Sequence, residues 1–401
     1  MANYTDNNSK KKKSSASKDI ALDKLDFYDA PRRSGKEDKI KGRPKSGIAR
    51  FACAAFPQAA DSTGEKLRKV VMLVAVIVFI GTLGVLGFQL LSMRDGAKTN
   101  DKVAQLAGAD TDSGAIIDVD TDYDPFSTFP ATGPAEVPED IEEEIDVTPL
   151  TNTPLNIDFA ALKAANADTR AWIKITGTQL NNVVVQSRDN SYYLNHDFYG
   201  NESLTGTIYS SYRNKWDGTD DNTILFGHNM MSGEFFATLG HYAPKDTSRE
   251  PVAFYKVHPT IMMATPSGGS ETYKIFAGIL VNTQEQYGEV FEYTTKTKFT
   301  DVNDFNNYIL EIMDRSWFFT DVDLTYGDKL LTLSTCYWPL GKEVDTRWVI
   351  FARKVRPGES EFVDTTVATR NYQAKLFDYY YGIIGGQWYG SVWDKSKLLS
   401  Y

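Results

Sequence analysis

The chain has 401 residues, which allows two ordinary domains, and a formal net charge of −10 at pH 7. Its charge is unevenly divided, because residues 1–69 hold 17 Lys and Arg against 9 Asp and Glu, whereas residues 101–146 hold 14 Asp and Glu against one Lys. The two cysteines cannot build a Cys-rich zinc site. The basic segment lacks a basic helix and an aromatic stacking platform, which argues against nucleic-acid binding.

The N-terminal part is predicted to be a cytoplasmic tail followed by a membrane anchor. Residues 1–69 are polar and rich in lysine, which favours a mostly disordered tail. Residues 70–91 carry no charged side chain, and at about 1.5 Å per residue a helix of this length crosses a hydrocarbon core. Lys66, Arg68 and Lys69 precede the span, so the positive-inside rule keeps the tail in the cytoplasm. We therefore expect a single-pass signal anchor in the cell membrane with everything after it outside.

An acidic linker is predicted to follow the anchor. Residues 92–150 are dominated by Asp, Glu, Pro and Thr, and like charges repel and extend such a segment. On this topology Cys53 and Cys336 lie on opposite sides of the membrane, so they cannot form a disulfide.

Residues 151–356 are predicted to fold as a mainly β domain. A helix is expected over Phe159–Ala167 with Asp158 as its cap, and a longer one over Asp301–Phe318, where apolar residues recur at helical spacing. A short helix capped by Ser232 should end at Gly240. Eight strands with few helices indicate a closed or nearly closed eight-stranded β-barrel. The predicted strands are Ala171–Ile175, Val183–Gln186, Thr207–Tyr209, Asn222–Phe226, Thr260–Ala264, Tyr273–Asn282, Lys329–Thr335 and Arg347–Arg353.

Residues 357–401 form an aromatic C-terminal extension. Its apolar run at 383–384 is too short to span a membrane. Two interpretations remain open: a tail packed onto the barrel, or an interfacial or wall-contacting segment, since clustered Trp and Tyr suit a half-wet surface.

The most informative motif is a strand that ends in a cysteine, followed by a strand that begins with an arginine. Adjacent antiparallel strands bring the end of one beside the start of the next, so Cys336 and Arg347 can face one pocket. A thiol beside a fixed cation is a nucleophile beside an anion stabiliser, which indicates acyl transfer. Of the four histidines, His228 is best placed to act as the base, because it directly follows the buried strand predicted to end at Phe226.

These motifs resemble those of a known enzyme family. The run Thr332-Leu-Ser-Thr-Cys336, the strand opening Arg347-Trp-Val-Ile and the run Phe226-Gly-His-Asn-Met230 look like the catalytic motifs of sortases, most closely those of class B. The resemblance covers roughly residues 155–356, which would be the catalytic domain, and it also includes a helix ahead of the cysteine strand. It implies a sortase-like barrel and a membrane-anchored cysteine transpeptidase of Gram-positive bacteria.

The resemblance also implies substrates, partners and residue roles. The enzyme would cleave a secreted protein at a C-terminal sorting signal of the Asn/Ser-Pro-x-Thr type and pass it to an amine of a peptidoglycan precursor or another acceptor. No metal or other cofactor is needed. Cys336 would form a thioester, His228 would be the general acid and base, and Arg347 would hold the substrate and the oxyanion. Arg347 and protonated His228 are expected to lower the pKa of the thiol.

Two further residues are weaker candidates for substrate binding. Ser334 shares the strand face of Cys336 by the period of two, so it would assist substrate or oxyanion binding or simply form a core contact. Asn229 would orient His228. Two other functions remain open: a papain-like cell-wall cysteine peptidase, disfavoured because the histidine precedes the cysteine here, and a non-catalytic wall-binding scaffold with a buried structural thiol.

Overall fold

The computed structural model describes residues 55–109, 148–230, 232–243 and 252–400. The predicted cytoplasmic tail up to residue 54, with Cys53, and residues 110–147 of the predicted acidic linker lie outside the described residues.

Helix α1, Thr63–Leu106, contains the predicted anchor. It is long and apolar enough to cross a membrane, and its apolar side chains are exposed, Ile77 at 68%. The helix extends beyond residue 91, so the described start of the predicted linker is helical. The described residues divide into two compact units, one up to residue 79 and the other from residue 80 onward. In the first, Lys69 pairs with Asp61 at 2.8 Å.

The second unit contains a closed barrel, as predicted. The barrel strands are β1 Thr169–Lys174, β2 Asn181–Val185, β3 Tyr209–Ser210, β4 Asn222–Phe226, β5 Thr260–Thr265, β6 Gly269–Asn282, β8 Leu330–Cys336 and β9 Thr346–Lys354. The strand order around the barrel is β1-β2-β3-β4-β8-β9-β6-β5. Strand β4 occupies its predicted residues, and β6 begins at Gly269 rather than Tyr273. A short strand β7, Phe318–Phe319, lies outside the barrel order.

Strands β8 and β9 divide their side chains between two cores. Leu331 and Leu333 belong to the interior cluster, together with Trp348. Val349 and Phe351 belong to a second cluster on the outer face, where the buried residues of a helix join them. That helix, α4 (Val302–Arg315), is the one predicted ahead of the cysteine strand.

The ends of the predicted helices are only partly correct. Asp301 caps α4 by accepting from the backbone N–H groups of Asn303 and Asp304, but the helix ends at Arg315 because Ser316 turns into extended backbone. Helix α2, Phe159–Ala165, has Asp158 as its cap, as predicted, with the side chain accepting from the N–H of Ala161. A short helix α3 spans Ala253–Val257.

The helix predicted from Ser232 to Gly240 is wrong. The chain instead forms a 3₁₀ helix over Phe236–Tyr242, with Gly240 inside it. The hydroxyl of Ser232 donates to the carboxylate of Glu234 at 3.1 Å rather than capping a helix. The adjacent Phe235 has a φ of 56° and is 1% exposed, so burial of its ring overrides the local capping signals.

The C-terminal extension packs against the barrel. Strand β10, Thr369–Arg370, pairs with β7 in a separate two-stranded sheet. Helix α5 spans Asp378–Ile384, and its Tyr380 joins the interior cluster. Farther on, Trp393 and Leu398 are buried in the outer cluster.

Candidate active site

The register of three neighbouring strands brings the predicted site residues together. Strands β4 and β8 are parallel, with Phe226 opposite Ser334, so extending this register by two residues places His228 beside Cys336. Strands β8 and β9 are antiparallel, and Cys336 is the direct partner of Arg347. The three side chains therefore start from adjacent positions at one end of the barrel.

Cys336 is half-buried at the end of β8, on the strand face that also carries Ser334. Burial raises the pKa of the thiol, because a thiolate loses hydration there; Arg347 lowers this pKa and Asp345 raises it. Arg347 thus lowers the thiol pKa, as expected, but the net shift in the free enzyme is upward. The desolvation of the thiolate outweighs the charge of Arg347, part of which Asp345 offsets.

Arg347 is held by a carboxylate that sequence reasoning missed. Its Nη2 donates to Oδ2 of Asp345 at 3.1 Å, and its Nη1 donates to the other oxygen of this carboxylate and, at 2.9 Å, to the carbonyl of Thr346. The Asp345 carboxylate also accepts from Oγ1 of Thr283 at 2.7 Å. Burial opposes ionisation of Asp345, but the bonds from Arg347 and Thr283 outweigh it and keep the pKa of this carboxyl below its ordinary value.

The imidazole of His228 is half-exposed and anchored on one side. Its Nε2 donates to the carbonyl of Leu194 at 2.7 Å. Leu194 ends a 3₁₀ helix, Tyr192–Leu194, ahead of the β4 strand. In a neutral ring with Nε2 protonated, Nδ1 carries the lone pair that can accept a proton. The backbone carbonyl of His228 accepts from the N–H of Phe236 at 3.0 Å, which fixes the segment after β4.

The two weaker candidates both lie at the cysteine strand. The hydroxyl of Ser334, 2% exposed, lies 2.7 Å from the phenol oxygen of Tyr293. The side-chain amide of Asn229 donates to the backbone carbonyl of Cys336 at 3.0 Å, which ties the histidine segment to the cysteine strand. Thr335 adds a second tie, because its hydroxyl donates to the carbonyl of Gly227 at 2.9 Å.

Two tyrosines near the cysteine were also missed by sequence reasoning. Burial raises the pKa of Tyr293 to about 12 and that of Tyr209 to about 12, and the charge of Cys336 contributes to the rise in both cases. Both phenols are therefore neutral at physiological pH. Tyr209 had a local signal, since it lies in a predicted strand next to β4, whereas Tyr293 lies in a loop with no sequence pattern.

The arrangement supplies the parts that acyl transfer needs: a thiol, an imidazole and an oriented guanidinium. Within the described ranges, no group of three or more His, Cys, Asp or Glu side chains is arranged to hold a metal ion.

The region that contains the barrel is similar to known proteins. Residues 173–355 match the family model of the sortase domain. The chain is 30% identical to sortase B of Listeria monocytogenes over 189 residues, which are 47% of this chain and 71% of that protein. It is also 30% identical to sortase B of Staphylococcus aureus over 178 residues, 44% of this chain and 67% of that protein. The crystal structure of Clostridium perfringens sortase B aligns with a TM-score of 0.43 and 30% identity, covering 50% of this chain and 100% of that one.

Proposed function

The chain belongs to the sortase family, class B, whose members are cysteine transpeptidases, and we propose that it cleaves a C-terminal sorting signal after threonine and transfers the protein to a cell-wall amine. The observation that supports the assignment of the site is the strand register: Cys336 pairs with Arg347, and β4, which ends two residues before His228, runs parallel to β8. The proposed signals are of the Asn-Pro-x-Thr or Ser-Pro-x-Thr type.

In the first half of the proposed reaction, Cys336 loses its proton to His228 and its sulfur attacks the carbonyl carbon of the threonine. Arg347 stabilises the negative charge that develops on the carbonyl oxygen, and its anchoring by Asp345 supports this role, because a guanidinium already oriented needs little reorganisation. His228 then returns the proton to the leaving amine as the peptide bond breaks. The product is a thioester between Cys336 and the threonine.

In the second half, an incoming amine attacks the thioester carbonyl and His228 accepts the proton that the amine loses. The thiolate of Cys336 leaves and is reprotonated, so atoms and charge balance over the cycle. The raised pKa of the thiol in the free enzyme favours a neutral resting state in which proton transfer to His228 accompanies attack. We assign Ser334 and Asn229 to positioning the cysteine strand and the substrate next to it.

The proposed reaction is tested by mass spectrometry on the full chain in detergent. Peptides carrying either signal are added with an amine acceptor, and the Cys336→Ala variant serves as the control. A thioester on Cys336 and a peptide–amine product, both absent from the variant, are expected. Equal cleavage by wild type and variant would overturn the assignment of the nucleophile, and a folded wild type that cleaves neither peptide would overturn the proposed signals.

We further propose that α1 anchors the enzyme with its N-terminus in the cytoplasm and the barrel outside. The length and apolar surface of the helix and the basic residues ahead of it support this topology. A protease added to cells stripped of their wall should digest the barrel but leave the N-terminal tail intact. The opposite pattern of digestion would reverse the orientation.

A further inference from the structure

The segment between β6 and α4 forms part of the active-site surroundings. Its residues 284–293, called here the site loop, include Tyr293, whose phenol bonds the hydroxyl of Ser334, two residues before Cys336 on the same strand face. The site loop also touches the chain after the cysteine, because the hydroxyl of Tyr287 donates to the carbonyl of Glu343 at 3.0 Å. A displacement of the site loop would therefore reach both sides of the nucleophile.

The C-terminal extension contacts this loop with polar and aromatic side chains. Nζ of Lys375 lies 2.9 Å from the Glu289 carboxylate, which also pairs with Arg315 of α4 at 3.0 Å. The rings of Tyr379, in α5, and Tyr287, in the site loop, have centroids 4.9 Å apart.

Gly288 marks the closest approach of the site loop to the extension. Its φ is 119°, and a Cβ at this position would lie 2.7 Å from the backbone nitrogen of Asp378, the first residue of α5. Only glycine fits both this backbone conformation and this space. The start of α5 therefore packs directly against the backbone of the site loop.

The extension is itself attached to the end of α4 and to the segment that follows it. The N–H of Asn371 donates to the carbonyl of Trp317 at 2.8 Å, and its side-chain amide donates to the carbonyl of Ser316 at 2.7 Å. The backbone N–H of Lys375 donates to the carbonyl of Asp314 at 2.7 Å. Phe377 and Tyr380 are buried in the interior cluster, which fixes both sides of the helix start.

We propose that the C-terminal extension is a brace that positions the site loop, and through it the surroundings of Cys336 where the proposed substrate binds. The expected effect on substrate binding rests on the function proposed above. The expected restraint of residues 284–293 does not depend on that function. Lys375 and Tyr379 act through the loop and are positioning residues. Neither is placed in contact with the reacting atoms.

Two substitutions, Lys375→Ala and Tyr379→Ala, test the brace in the full chain. Their matched controls are Lys397→Ala, which removes the ion pair of the extension with Asp321, and Tyr389→Ala, which removes a tyrosine that is 77% exposed. Lys375→Arg should restore the wild-type behaviour, since it keeps the charge near Glu289. Hydrogen exchange of residues 284–293 and the kinetics of sorting-peptide cleavage are both measured.

The two test variants are expected to speed hydrogen exchange in the site loop and to raise KM for the peptide roughly two- to fivefold, the range that partly exposed ion pairs give. Their kcat should change less, because the three catalytic side chains stay in place. The two controls should match wild type in both measurements.

The outcomes separate the brace from the enzymatic function. Unchanged exchange of residues 284–293 in both test variants overturns the brace, whatever the activity. Faster exchange with an unchanged KM overturns its role in substrate binding. A wild-type enzyme that cleaves no peptide contradicts the proposed function, while the exchange data still decide whether the extension holds the loop.

Discussion

At the scale of single residues, the active-site arginine is paired with a carboxylate and is not a free cation. Asp345 directly precedes β9, two residues before Arg347, and its carboxylate accepts hydrogen bonds from both terminal nitrogens of the guanidinium. The carboxylate orients the fork and, at the same time, reduces the positive field at the nearby sulfur. The Asp345 carboxylate therefore favours the orientation of Arg347 but disfavours the ionisation of Cys336.

Asp345→Asn should separate these two effects. Removing the negative charge lowers the pKa of Cys336, since Asp345 raises it in the wild type. The rate of alkylation of the thiol, followed against pH, should therefore reach its midpoint at a lower pH than in wild type. The same variant should lose peptide cleavage, roughly tenfold in kcat/KM, because Arg347 is held less firmly.

The matched control for this substitution is Thr283→Val, which removes the hydroxyl donor to Asp345 but keeps the carboxylate charge. Its alkylation midpoint should move far less than that of Asp345→Asn. A midpoint for Asp345→Asn that stays in place or moves to higher pH would contradict the assigned role of the carboxylate.

Arg347→Lys should lower kcat by about 10²–10³, the usual loss when one donor to a developing oxyanion is removed. Lysine keeps the charge but lacks the planar fork that engages Asp345 with two nitrogens. Single-turnover cleavage of the sorting peptide measures the effect, and Arg213→Lys, on the exposed surface, provides the control. A rate within twofold of wild type would remove the special role of the guanidinium.

Sequence reasoning identified the residues whose place is set by strand ends, and it missed those set by contacts across the fold. Cys336 ends one strand and Arg347 starts the next, so antiparallel pairing was enough to bring them together. Tyr293 reaches Ser334 from a long loop, a contact that no periodicity encodes. The raised thiol pKa was missed for a related reason, because burial of Cys336 depends on tertiary packing that the strand pattern does not encode.

At the scale of secondary-structure elements, the strong periodicity of apolar residues predicted the type of an element better than the residues at which it begins and ends. The spacing of apolar residues predicted α4, and its ends depended on Asp301 as the cap and on Ser316 turning extended to reach β7. Near His228, the local signals at Ser232 and Gly240 failed because tertiary burial of Phe235 decided the backbone. The closed barrel followed from the number of strands, but its order, with β4 parallel to β8, did not.

Helix α4 should contribute to stability through its buried face. Ile309 is fully buried in the outer cluster, so Ile309→Ala should lower the free energy of unfolding by about 2–5 kcal/mol. The exposed neighbour Asn307→Ala should change it by less than about 0.5 kcal/mol. Denaturant unfolding of both variants makes the comparison, and equal midpoints would show that the helix does not support the barrel.

At the scale of the whole molecule, a network of ion pairs attaches the extension to the barrel. Arg353 of β9 is 1% exposed and pairs with Glu359, at the start of the extension, and with Asp323. Glu359 also receives Nζ of Lys274 from β6 at 2.7 Å. A buried guanidinium would be costly without its carboxylates, so loss of either partner leaves its charge less well compensated. The sequence predicted an aromatic extension, but it did not predict the ion pairs that attach the first part of this extension to the barrel.

This network makes stability depend on pH with a definite sign. The hydrogen bonds from Arg353 and Lys274 hold the pKa of Glu359 well below its ordinary value, although burial opposes the shift. A depressed carboxyl pKa adds stability above the unfolded-state value of 4.5, and that contribution is lost as pH falls below it toward the folded-state value. The midpoint of thermal unfolding should therefore fall steeply with acidification below about pH 5.

In Glu359→Gln this midpoint should already be lower at pH 7, and its slope with pH should be shallower. The exposed neighbour Glu361→Gln should keep the wild-type slope, and a Glu359→Gln protein that also kept it would show that the network does not control acid stability.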